Sequence, residues 1–352
     1  MRIVVAMSGG VDSSVAAALL REQGHDVIGL SMQLYDQRGG ESFGSCCTLD
    51  DLHDARRVAG ALGFPHYILN FEQQFEETVI SNFVREYANG RTPLPCARCN
   101  SDLKFSTLLD RAIGFGAEHV ATGHYARVEQ REDGRWLLKR SADGQKDQSY
   151  FLFSLTQAQL VRARFPVGSL TKLQVRDEAR RLGLTVADKP DSQEICFVPS
   201  GDYAAFVAKK QPDVARSGAI VDESGVKIGE HAGVHRFTVG QRKGLGIAAP
   251  QPLYVLKLDS ATSTVVVGAR EALEQTRLTA SGVNWISADA PSHWMRVAAQ
   301  IRHRHAAASA RVRALTGDRA ELEFDSPQPA ITPGQAVVFY DGDVVVGGGW
   351  ID

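Results

Sequence analysis

Six residues near the start of the chain, Ser8, Gly9, Gly10, Val11, Asp12 and Ser13 (SGGVDS), set two glycines among small polar side chains. Glycines let a main chain come close to a ligand, and the N–H groups that open a helix lack intrahelical partners, so such a turn can bind an anion. A plain capped turn, with Asp12, Ser13 or Ser14 satisfying the helix start, would use the same residues. A Walker loop is excluded, because no lysine follows the glycines. Cysteine supplies a second chemistry. Cys99, in GRTPLPCARCNSDLKF, has Arg91, Arg98 and Lys104 close in sequence, and these cations favour thiolate over thiol. It is read as loop-borne, just ahead of a helix, and Cys196, in DSQEICF, as loop-borne too. Either alone could be an inert buried thiol. Cys96, Cys46 and Cys47 complete a set of five, an odd number that argues against a structural disulfide framework.

The elements that must position these groups alternate. RIVVAM, DVIGLSM, HYILNF and HVATGHYA read as strands, separated by helical patterns that run to about Gln23 and over Leu49 to Leu62, Glu72 to Tyr87 and Lys104 to Ile113. That repetition predicts an α/β, doubly wound parallel sheet whose ligands lie beyond the carboxyl ends of the strands at a topological switch point. SGGVDS would then be the turn between the first strand and the first helix. Residues 35–45 and 90–100 read as long loops on the same side. ARVEQREDGRWLLKRS reads as two strands around a turn, and helical patterns continue to about Leu182. From Asp202 onward short β-runs take over, which predicts a small α+β middle domain and a C-terminal β-barrel. The expected boundaries are 1–201, 202–275 and 276–352.

A length of 352 residues allows two or three domains with ample core. The formal net charge of -2 announces no global attraction to nucleic acid, yet Asp202 to Arg313 holds fifteen Lys/Arg against nine Asp/Glu. A basic middle is therefore expected. No charged leader precedes the first strand and no run approaches the roughly 20 apolar residues of a membrane span, so a cytoplasmic protein is expected.

SGGVDS after a strand resembles the PP-loop of the ATP pyrophosphatases, which split ATP between the α and β phosphates. Taken together, SGGVDSSV, GRTPLPC-x-x-CN-x-x-LKF, ATGHYA, KDQSYFL, DSQEICF, VGQRKGLG and TPGQAVVFY, in this order from Arg2 to about Ile351, resemble the bacterial tRNA-specific 2-thiouridylases, the MnmA/TrmU family. The resemblance implies adenylation of the C2 oxygen of the wobble uridine and its replacement by sulfur, with ATP and Mg2+. It places ATP on Ala6, Met7, Ser8, Gly9, Gly10, Val11, Asp12, Ser13, Met32 and Gly123, with Asp12 by the phosphates. Cys99 matches the family's nucleophile and Cys196 its persulfide carrier, and free hydrosulfide is an alternative sulfur source. It places tRNA contacts on Leu94, Pro95, Cys96, His124, Lys146, Asp147, Gln148, Arg302, His303 and Gln335. The implied substrates are the tRNAs for Lys, Glu and Gln, and the implied partner is a persulfide relay protein or a cysteine desulfurase.

One departure matters. Cys96 stands where many members carry Asp, and with Cys99 and Cys196 it offers three thiolates, a set suited to a 4Fe-4S cluster with one open iron. Zinc on the same thiols lacks a fourth ligand at suitable spacing. Two other readings are open: a different PP-loop synthetase, which would need neither the cysteine pair nor the β-rich half, and a tRNA-binding protein without catalysis, which would not need Asp12, Cys99 and Cys196 together.

Overall fold

The computed structural model describes residues 1–35, 49–190, 195–198 and 201–352. Cys46, Cys47 and most of the expected loop 35–45 lie outside the described residues. The chain divides into two compact units. The first comprises residues 1–79, 96–201 and 343–345, and the second residues 80–95, 202–342 and 346–352. Residues 80–95 thus group with the second unit although they lie within the sequence range expected of the first domain.

In the first unit, β1 (Arg2–Ala6), β2 (Asp26–Gln33), β3 (His66–Asn70), β4 (His119–Thr122) and the short β7 (Ala163–Arg164) form a parallel sheet in the order β3-β2-β1-β4-β7. Between β4 and β7 the chain makes the antiparallel hairpin β5 (Ala126–Gln130) and β6 (Trp136–Arg140). The apolar run of β1 is buried on both faces, as a central parallel strand requires: Ile3, Val4 and Val5 are at most 1 % exposed. Each such burial is worth roughly 1.5–3 kcal/mol. The helix Val11–Glu22 packs Val11, Val15, Ala16 and Leu20 against this sheet together with Ala55, Val58, Val175 and Ala179 from the helices Leu49–Leu62 and Lys172–Arg181. Register places Ala6 level with Leu30 on one side and Thr122 on the other. Chain order runs outward from β1 to β3 and returns to β4 on β1's other side. The switch point therefore falls between the carboxyl ends of β1 and β4.

In the second unit, β8 (Gly218–Val221), β9 (Lys227–His231), β10 (Tyr254–Asp259) and β11 (Thr264–Gly268) form a sheet in the order β10-β11-β8-β9, and the helix Tyr203–Lys210 precedes it. A six-stranded barrel follows, from β12 (Glu274–Trp285), β13 (Met295–Gln300), β14 (Ala308–Leu315), β15 (Arg319–Pro329), β16 (Ala336–Asp341) and β17 (Val344–Ile351), closed by pairing of β12 with β17. Its interior is apolar, with Ala299, Val312, Leu322, Val337 and Phe339 wholly buried. Among the described residues no helix is long and apolar enough to cross a membrane.

Candidate active site

The turn after β1 is built by main chain. Met7 N–H donates to Leu30 O at 2.8 Å, which carries the strand one residue further, and Gly9 then takes φ +71, a left-handed conformation that suits glycine. Gly10 is the N-cap residue of Val11–Glu22, and among the described residues no side chain caps the first turn. The serines instead fold back: Ser14 Oγ donates to Gly10 O at 2.8 Å, Ser13 Oγ donates to Gly10 O at 3.2 Å, and Ser8 N–H donates to Ser13 Oγ at 3.2 Å. The capped-turn expectation does not describe this helix start, and open N–H groups of this kind can take an anion. Met7 and Val11 put their side chains into the core, so they can offer a ligand only main chain. Gly123, straight after β4, lies against the same turn: a Cβ there would sit 2.5 Å from Ser13 N and 2.6 Å from Asp12 C. Met32, near the end of β2, is buried.

Asp12 is engaged from two remote segments. Lys172 Nζ donates to both carboxylate oxygens, at 2.8 and 2.9 Å, and Tyr125 Oη donates to Oδ1 at 2.7 Å. A second ammonium, Lys189 Nζ, donates to Asp51 Oδ1 at 2.5 Å, Asp54 Oδ2 at 2.6 Å and Gly9 O at 3.1 Å, tying the turn to the helix Leu49–Leu62. Burial works against the Lys189 charge, yet the Asp51 and Asp54 hydrogen bonds carry its pKa above the ordinary lysine value. Sequence reasoning missed Lys172 and Lys189. Tyr125 and Lys189 stand within or beside quoted motifs, whereas the only local signal at Lys172 is its place at the head of a helix capped by Thr171 and Gln174.

Cys99 corrects an expectation. It does not lie on a loop: a short helix Pro95–Arg98 runs directly into a π-helical segment, Cys99–Thr107, and then into Leu108–Gly114. Pro95 opens the helix rather than ending a loop, because its fixed φ and missing N–H cost nothing at a first helical position. Cys99 is the first residue of the π segment and half-buried, while Cys96 is exposed. Neighbouring side chains brace the widened turns: Asn100 Nδ2 donates to Phe151 O at 3.1 Å, Gln159 Nε2 to Ser101 O at 3.0 Å, and Lys104 Nζ to Asn100 Oδ1 at 3.0 Å. Cys196 is half-buried in a turn closed by Val198 N–H donating to Ile195 O, and Phe197 beside it packs edge-on to Phe75. Among the described residues no three His, Cys, Asp or Glu side chains group closely enough to hold a metal ion.

His124 hydrogen-bonds Thr122 Oγ1 through Nδ1 at 2.7 Å. Burial, and then the Lys104 charge, hold its pKa well below the ordinary histidine value, so the ring is neutral near pH 7. In the KDQ segment Lys146 is half-buried. The buried Asp147 carboxylate accepts from Arg140, from Ser141 N and from Ser149 Oγ, and therefore shapes its own loop. Gln148 brackets Tyr125, accepting from its N–H and donating to its carbonyl, both at 2.9 Å.

In the second unit Arg302 and Gln335 come together on a cleft of about 470 Å³, lined also by Arg270, Tyr254, Thr92 and Thr238. Gln335 Nε2 donates to Thr92 O at 3.1 Å and Arg302 Nη1 to Pro329 O at 3.0 Å. His303 is exposed, whereas Leu94 and Pro95 are buried.

Comparison with known proteins divides the chain into three domains. Residues 1–200 match the family described as the tRNA methyl transferase HUP domain, 204–269 the tRNA methyl transferase PRC-barrel domain, and 275–351 the aminomethyltransferase beta-barrel domain. The chain is 54 % identical to the tRNA-specific 2-thiouridylase MnmA of Geotalea uraniireducens (strain Rf4), over 100 % of this chain and 95 % of that protein. It is 52 % identical to the protein of the same name from Magnetococcus marinus (strain ATCC BAA-1437 / JCM 17883 / MC-1), over 99 % of this chain and 98 % of that one. With a parallel-sheet domain carrying the glycine turn, a small middle domain and a closed barrel, the chain belongs to the tRNA-specific 2-thiouridylases, sulfurtransferases of the PP-loop superfamily.

Proposed function

We propose that the chain adenylates the C2 oxygen of the wobble uridine with ATP and replaces that oxygen by the outer sulfur of a persulfide on Cys196. The observation that carries this reading is the main-chain cradle of residues 8–13 at the switch point, with Gly123 against it and Asp12 on its first turn. Phosphate oxygens suit the outward N–H groups and the exposed Ser8 hydroxyl, and Met32 suits the adenine-ribose side. Mg2+ fits one carboxylate combined with substrate phosphates, and Asp12 retains acceptor capacity beyond its bonds to Lys172 and Tyr125. Bound there, the ion would offset phosphate charge. Cys96, Cys99 and Cys196 form no metal-holding group among the described residues, so no step is routed through a cluster.

The uridine O2 attacks the α-phosphorus, pyrophosphate leaves, and the N3 proton is lost. The terminal persulfide sulfur then attacks C2, and AMP departs with the original oxygen. Cys99 thiolate attacks the Cys196 sulfur; the electron pair of the broken S–S bond stays on the sulfur at C2, and a Cys99–Cys196 disulfide remains for an external thiol to reduce. The uridine must leave its stack to react. Lys146, Gln148, Arg302, His303, Gln335 and the neutral His124 are the proposed RNA contacts. The tRNAs for Lys, Glu and Gln are the proposed substrates, and a relay protein or desulfurase the sulfur donor.

Iron-free protein loaded with one persulfide, mixed with ATP and tRNA for a single turnover, tests this. Expected are 2-thiouridine and a Cys99–Cys196 linkage by mass spectrometry, with Cys96→Ser retaining most of the yield. Activity that appears only after iron reconstitution, and disappears with Cys96→Ser, would replace the persulfide route by a cluster.

A further inference from the structure

We propose that Lys172 and Tyr125 are positioning residues that act through Asp12, holding its carboxylate in place and balancing its charge while ATP is cleaved. The inference rests on the ATP reading above and names two residues that no sequence motif assigned to it.

Asp12 is a first-turn residue with rotational freedom of its own, and its side chain is 31 % exposed. Alone, it would present an unbalanced negative charge beside a cradle meant for phosphates. Lys172 removes both problems, because a bidentate ammonium fixes the carboxylate plane and cancels its charge. The lysine side chain is only 11 % exposed, so its desolvation is compensated by this carboxylate and by the Tyr125 ring, whose centroid lies 5.9 Å from Nζ. Tyr125 is 2 % exposed and donates its hydroxyl to the same Oδ1.

Both holders are held in turn. Lys172 heads its helix behind a Thr171–Gln174 capping box, and its N–H donates to Asp143 Oδ2 at 2.9 Å. Tyr125 is bracketed by Gln148. Groups locked by their own neighbours at this second remove are what a site needs if a reacting geometry is to be kept within a fraction of an ångström. Removal of the pair should therefore slow ATP cleavage more than it weakens ATP binding.

The test is tRNA-dependent conversion of ATP to AMP and pyrophosphate by the full chain. Lys172→Met should lower kcat about 100-fold while KM for ATP moves little, a size comparable with loss of one preorganised charge-stabilising group. Lys172→Arg should recover most of the rate, and Tyr125→Phe should cost less than Lys172→Met. The decisive comparison adds Lys172→Met to Asp12→Asn in single-turnover measurements: if the lysine acts through Asp12, the second change costs almost nothing more. A penalty of undiminished size in the Asp12→Asn background, or a rise in KM with kcat intact, would make Lys172 a direct ATP ligand and overturn the proposal. Lys172→Gln, which keeps a hydrogen-bonding group without charge, answers the same question if Lys172→Met does not fold. Wild-type protein that forms no AMP with tRNA present would sink the ATP reading itself, whereas wild-type turnover with additive variants would sink only this inference.

Discussion

Gly123 and Gly9 act on the same turn by different means. At Gly123 the neighbours of an added Cβ are main-chain atoms of Asp12 and Ser13, and these belong to the helix start that should face the phosphates. They can yield only by moving the cradle. At Gly9 the conflict is with Asp51 O, 2.1 Å from the ideal Cβ, and a positive φ adds strain of about 1–3 kcal/mol for any other residue. Gly123→Ala is therefore expected to weaken ATP binding about tenfold or more with a modest change in melting temperature, since each 1.4 kcal/mol is a factor of ten. Gly9→Ala should lower both. Gly144→Ala, where nothing lies within 4 Å, is the control and should change neither. Titration calorimetry with ATP alongside thermal melts separates these outcomes, and unaltered ATP affinity in Gly123→Ala would remove Gly123 from the site. The glycine turn after an apolar run was legible as a turn, whereas its ATP reading, and that of Gly123, came from the family resemblance rather than from spacing alone. The partners of Asp12 were not legible, since Tyr125 and Lys172 lie 113 and 160 positions away and no local pattern encodes such pairs.

Strand–turn–helix units were readable because hydrophobic runs and their punctuation are local, and Leu49–Leu62 was expected with the bounds the structure gives it. The segment around Cys99 was not. Its polar and proline-rich start has the composition of a loop, and a π-helical run has no period of its own in side-chain pattern, being sustained here by Phe151 and Gln159 from elsewhere in the first unit. The middle sheet carries a pH dependence that sequence could not show either. His231, at the end of β9, accepts from Gly233 N–H through Nδ1 and faces Ser263 O through Nε2, so both nitrogens are used by a neutral ring. His235 faces Val214 O through Nδ1, and its buried Nε2 has no partner among the described residues. Burial pushes both pKa values below the ordinary 6.5. Above that value folded and unfolded forms are both neutral, and nothing is lost. As pH falls below it the unfolded chain takes up protons first, so stability declines toward the folded pKa, by up to about 1.4 kcal/mol per pH unit for each ring. Amide exchange in β8 and β11 should report a lower opening free energy at pH 5.5 than at pH 7.5. His231→Gln should reduce the difference, and equal values at the two pH settings would show that these rings do not couple to folding.

Across the whole chain the charge is unevenly spread: the stretch from Asp202 to Arg313 is basic, and Ala314 to Asp352 has one Lys/Arg against seven Asp/Glu. Part of the basic excess is already committed. Arg311, Arg313 and Arg296 pair with Glu323, Glu321 and Asp325 on the barrel strands, and Arg311 and Arg313 also flank the Trp294 ring. Such arginines stabilise the barrel surface and attract RNA less than a count suggests. Arg270 and Arg302, by contrast, line the cleft that also holds Gln335, and the prediction is that they meet RNA phosphates. If four to six phosphates are neutralised in the complex, counterion release makes tRNA affinity fall by roughly 10²–10³ between 50 and 200 mM salt. Double replacement of Arg270 and Arg302 by Gln should weaken binding at low salt and flatten the slope of log affinity against log salt by about two phosphate contacts. The same change at Arg311 and Arg313 should leave the slope near its wild-type value, because those guanidiniums are already neutralised by carboxylates. Fluorescence anisotropy of labelled tRNA across a salt series measures both slopes. A salt-independent affinity, or an equal loss of slope in the two double variants, would place the RNA contacts away from the cleft.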